Sequence, residues 1–125
     1  MQDILGASVL SLLDPADRTA TANGPAVDIL DYEGYAAAIL QSAAGTGTTP
    51  TLDVKLQDSA DGSTGWADIA GAAFVQVTNA AASRQIVKFN ASAARRYVRA
   101  AATIGGTTPS FACAACLVGK KQIVP

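Results

Sequence analysis

Apolar and polar positions alternate through most of the chain after residue 25, with the two-residue period of half-buried strands. In LDVKLQ (residues 52–57), Leu52, Val54 and Leu56 share one face, and Asp53, Lys55 and Gln57 share the other. RQIVKFN (84–90) turns Val87 and Phe89 inward and Arg84 and Lys88 outward. RRYVRAAATI (95–104) turns Val98, Ala100, Ala102 and Ile104 inward, with Tyr97 and Arg99 outward. FACAACLV (111–118) is apolar on both faces, as a central or partner-covered strand would be. Further strands are expected at residues 26–31, 35–43, 66–69 and 73–78. About eight strands spaced by turn-rich stretches describe a sandwich or barrel.

The first residues fit more than one element. Leu5, Val9, Leu12 and Leu13 make a helical stripe, while Leu10 and Leu12 also suit a strand. The Asp14-Pro15 step ends either one. An arm that docks elsewhere is the third reading. The expected organisation is an N-terminal arm or first strand over residues 1–17 and a sandwich over residues 18–125. The fold class is all-β: a single-domain, antiparallel, jelly-roll-like β-sandwich.

Two stretches nearly repeat, GTTPTL at residues 47–52 and GTTPSF at 106–111. The glycine permits backbone angles closed to other residues, and the proline fixes φ and holds the preceding threonine extended. Each copy therefore reads as a loop that leaves one strand and launches the next, giving two similar hairpins.

Composition sharpens this picture. The 125 residues suffice for one core. Half are hydrophobic, yet only 6% are aromatic and 15% charged, because much of the apolar content is alanine. This points to a thin core, or to apolar surface that meets a partner. All ten acids lie at or before Asp68, against Arg18 and Lys55, a net −8; the seven bases after it meet no acid. Either the two halves interleave and neutralise, or a basic surface faces an acidic neighbour. The start, MQDILGASVL, has no basic n-region, so no signal peptide is expected. The uncharged run at 100–119 is broken by GGTTP, which argues against a membrane span.

Candidate chemistry is sparse. The chain has no histidine, hence no common base or metal ligand. DSADGSTGWAD (58–68) gathers three aspartates, but Asp58, Asp61 and Gly62 miss calcium-loop spacing, and a polar hairpin loop is favoured. Cys113 and Cys116 form a C-x-x-C on a strand, where residues three apart point to opposite faces. They are expected to be buried, inert thiols. Arg95, Arg96 and Arg99 beside Tyr97 resemble a basic patch, but no recognition motif or net positive charge favours nucleic acid. Trp66 is a loop anchor or an exposed contact. No nucleophile–base pair or phosphate-binding loop appears, so neither catalysis, cofactor nor metal is expected.

Three stretches together, ADRTATANGPAVDILDYEGYAAAIL, TLDVKLQDSADGSTGWADIAGAAFVQVT and RRYVRAAATIGGTTPSFACAACLVGKKQ, resemble small decoration (cement, or auxiliary head) proteins of tailed bacteriophages. The resemblance covers nearly the whole chain and rests on the order of elements. It implies a non-enzymatic virion protein on the capsid exterior, assembled in the host cytoplasm. Its partners would be the major capsid protein and copies of itself, as a dimer or trimer. Expected contact residues are Ile4, Leu5, Val9, Trp66, Arg95, Tyr97 and Arg99. The alternatives are a tail or baseplate module, or a carbohydrate-binding module that stacks sugars on Trp66, Tyr32 or Tyr35.

Overall fold

A computed structural model of the chain describes residues 7–121. It contains eight strands: β1 (Ala7–Arg18), β2 (Ala22–Asn23), β3 (Val27–Asp28), β4 (Tyr32–Ser42), β5 (Thr46–Ser59), β6 (Ala67–Ala73), β7 (Ser83–Asn90) and β8 (Tyr97–Lys121). All pairings are antiparallel, and no helix occurs among the described residues. The architecture is the expected all-β sandwich, nearly closed into a barrel.

The 25-residue β8 organises everything. Its N-terminal half lies between β5 on one side and β2 and β3 on the other, and β6 extends this back sheet beyond β5. Its C-terminal half lies between β1 and β4, and β7 extends this front sheet beyond β4. Alternation assigns the inner face. Leu52, Val54 and Leu56 of β5 face Phe111, Leu117 and Leu40 of the front sheet's strands within one core, all nearly inaccessible. Ala36, Ala38, Ala100 and Ala102 are core residues too, so the two layers meet over small side chains. Residues 7–18, read as helix, strand or arm, form a strand because Leu10, Leu12 and Leu13 gain core burial when β1 pairs with β8. Residues 1–6, with Ile4 and Leu5, lie outside the described residues.

The repeated GTTP stretches are not two hairpin loops. They pair with each other at the corner where β5 and β8 pass between sheets. Thr48 opposes Thr107, and the flanking pairs Thr46–Ser110 and Thr51–Gly105 are related by the same 59-residue offset. Gly47 and Gly106 take φ of 106° and 108°; Thr49 and Thr108 both take 47°. The repeat is thus a local two-fold bend inside two continuous strands. It was unreadable as such because each copy's partner is the other copy. A Cβ on Gly47 would come within 2.5 Å of the Thr108 carbonyl, and one on Gly106 within 2.7 Å of the Thr49 carbonyl.

The opposite seam, between β6 and β7, closes through a side chain. The Gln85 amide accepts from Val75 N–H at 2.8 Å and donates to the Val75 carbonyl at 2.9 Å, standing in for a strand's peptide group. At the remaining side, Gly24 passes against β1, where a Cβ would strike the Leu12 carbonyl.

Candidate interaction surfaces

The outer face of the back sheet is polar, and its groups satisfy one another. On β5, Lys55 reaches Asp68 at 3.0 Å, and Gln57 donates to the same carboxylate at 3.0 Å. Those donors, Gln57 foremost, hold the Asp68 carboxyl below its usual range. Arg99 donates to Gln57 Oε1 at 3.0 Å, and its guanidinium lies 4.3 Å from the Trp66 ring centroid. Arg96 pairs with Asp28 at 2.9 Å and lies 5.2 Å from the Tyr97 ring centroid. Its bond, with the Leu30 amide, holds the Asp28 carboxyl low. Arg95 pairs with Asp58 at 2.9 Å and donates to the Asp58 and Gly65 carbonyls, both at 2.7 Å, so it pins the loop after β5. Here the acidic first part of the chain and the basic later part do interleave: Asp28 and Asp58 meet Arg96 and Arg95.

The loop over residues 59–66 builds its own turn. Asp61 accepts from the Ser63 and Thr64 amides at 2.9 and 2.8 Å and from the Ser59 and Thr64 hydroxyls. Those bonds, led by the Thr64 amide, hold its carboxyl far below the ordinary range. Gly62, at φ 76°, packs on the Tyr97 ring. The three aspartates flagged by sequence point to three different places: Asp58 to Arg95, Asp61 into its loop, Asp68 to Lys55. They do not converge on a common cation position.

The outer face of the front sheet is different. Reading across strands β1, β8, β4 and β7, one row is Val9, Val118, Ala37 and Lys88, and the next is Ser11, Cys116, Ile39 and Ile86. Val9 is 66% exposed and Ile86 61%. Val9, Ser11, Ile39 and Cys116 line a shallow groove of about 210 Å³. Charge lies at the two lateral edges. Asp14 and Asp17 sit on the β1 side beside half-buried Arg18, with Asp14 accepting from Ser11 Oγ at 2.6 Å and its carbonyl accepting from Arg18 at 2.8 Å. Arg84 and Lys88 project from β7 and have no carboxylate partner among the described residues.

The residues expected to form one contact surface therefore separate. Val9 lies on the front face. Trp66, Arg95, Tyr97 and Arg99 lie on the back, engaged with their own chain. Sequence reasoning places Arg84 and Lys88 outward but does not join them with Ile39 and Ile86 in one open face. The signal was the two-sided apolarity of residues 111–118, which β4 shares at Ala37 and Ile39. The cysteines take opposite faces as spacing required: Cys113 is buried inward and Cys116 is half-buried outward, both free. Burial pushes the Cys113 thiol up, against the pull of nearby Arg18.

No protein-family model and no curated protein matches the chain. Among the described residues, no helix is long and apolar enough to cross a membrane.

Proposed function

We propose that this is a non-enzymatic structural protein of a tailed-phage virion that binds the exterior of the assembled capsid and stabilises it. The reading starts from the resemblance to decoration proteins. The structural observation that supports it is the contrast between the two outer faces. One face satisfies its polar groups internally; the other leaves valine and isoleucine in the open. A surface of that kind is completed by a protein partner, the shell or a second copy.

Stabilisation then follows from linkage. A protein that binds only the assembled lattice lowers the lattice free energy by an amount set by its concentration over its dissociation constant. Many symmetric copies make modest contacts sufficient. The sugar-stacking alternative is less favoured, because the Trp66 ring is occupied by Arg99 and Tyr32 is 4% exposed, which leaves Tyr35, 71% exposed on β4, as a lone platform.

The test is to mix purified protein with undecorated shells, pellet them, and measure stoichiometry and shell melting. Binding at many equivalent positions with a higher melting temperature is expected. Recovery only in tail fractions of virions would replace the capsid role with a tail role, and no co-pelleting would remove it.

A further inference from the structure

The open front face carries its own complement. We propose that it packs against the same face of a second copy of this chain, related by a two-fold axis parallel to the strands between β8 and β4.

The row order dictates the pairing. Such an axis reverses the lateral order of the strands and keeps each row level. The partner's β1 then lies over β7, and the partner's β8 over β4. Cys116 meets Ile39 and Val118 meets Ala37, because each pair shares a row on adjacent strands. Face-to-face sheets with inner faces of this chemistry pack about 10 Å apart with strands nearly aligned.

The charges select this arrangement over others. Asp17 opposes Ala112 on β8, and Arg84 lies two residues away, level with Ala114. The axis therefore brings Asp17 at the acidic edge of one copy near Arg84 at the basic edge of the other, twice by symmetry. At the far end, Lys120 and Glu33 share a row. The same operation sets Lys120 over the Glu33 of the second copy. An axis in the face but perpendicular to the strands would instead stack β7 on β7, setting cation edge on cation edge. An isologous contact requires such self-complementarity, and this face has it.

The contact is small. Four strands at about 4.8 Å spacing and about six residues at about 3.4 Å give roughly 400 Å² in projection. A standard stable complex buries about 800 Å² per partner. The free dimer is accordingly weak, populated at about 0.1–1 mM. The inference does not depend on the capsid reading, and a dimer formed this way covers the front face, so a shell would meet its other surfaces.

Sedimentation equilibrium of the whole chain up to about 1 mM tests it. The weight-average mass should rise from 12.6 kDa toward twice that value. Ile39→Asp, an outer-face change, should keep the circular dichroism spectrum and stay monomeric. Arg84→Asp and Asp17→Arg should each weaken dimerisation about tenfold, and the double reversal should recover most of it. A monomer throughout, a trimer, a dimer indifferent to Ile39→Asp, or a double reversal without recovery would overturn the proposal. Shell binding by a strict monomer would overturn the dimer and leave the capsid role standing. A dimer that ignores shells would do the reverse.

Discussion

Thr49 and Thr108 share a φ of 47°, and each presents its carbonyl to the glycine of the other's strand. A β-branched residue rarely enters this left-handed region. Here two do so, because both strands must turn together from one sheet to the other. The glycines at 47 and 106 take the angles no side chain fits.

Gly47→Ala and Gly106→Ala should therefore be among the most damaging single changes. Each adds a Cβ against backbone that cannot yield locally, in a conformation strained for alanine. A loss of about 2–4 kcal/mol is expected in urea titrations. Thr49→Gly should cost far less, since relief of the left-handed angle offsets the added freedom of the unfolded chain. Equal losses for the two kinds of change would contradict this account of the bend.

Trp66 is the single tryptophan, so its fluorescence reports one site. Arg99→Ala removes the cation over the ring and the Gln57 bond together. Stability should fall by about 1 kcal/mol, and Trp66 emission should shift red with greater access to iodide. Arg99→Lys should retain part of the stacking and lose the fork to Gln57. Unchanged quenching in Arg99→Ala would mean that the ring is shielded by something else.

Acid should weaken the fold through its depressed carboxyls. Asp61, Asp28 and Asp68 all have folded values below their ordinary range. Unfolded aspartate titrates near about 3.9. The stabilisation is present in full above that value and is lost as pH falls below it toward the folded values. Asp61→Asn removes one titrating group, so its stability should vary less with pH below about 4. Chemical denaturation at several pH values measures the slope. A steeper slope in the variant would reverse the sign argued here.

The two thiols should differ rather than share the inertness expected from sequence. Cys116, half-buried on the open face, should label in the native protein; Cys113 should label only on unfolding. Intact mass under oxidation should show no internal bridge. A native Cys113 that labels as fast as Cys116 would place the inner face in contact with solvent.

Local alternation was a sound guide wherever one strand face is buried. Leu52, Val54 and Leu56 could be assigned inward from six residues, and so could Val98, Ala100 and Ala102. What escaped was everything that depends on a distant partner. The GTTP copies look like separate turns until each is seen as the other's neighbour. Residues 1–17 stayed open because Leu12 suits a helix or a strand equally, and only pairing with β8 decides. Arg95 and Arg99 looked like free cations because Asp58, Gln57 and Trp66, which hold them, lie more than thirty residues away. Ile86 is a lone outward isoleucine in its own strand and gains meaning only beside Ile39 and Cys116.

The passage of β8 through both sheets ties folding to the last long strand. Before residues 97–121 are in place, β5 has only β6 and the stretch through Val77, β4 has only β7, and β1 has no strand partner. Neither layer can nucleate alone, and neither can melt alone. Most contacts join residues far apart in sequence, which makes for a slow search and a single sharp transition. A chain cut before residue 97 is expected to yield no half-sized folded fragment, only unpaired strands.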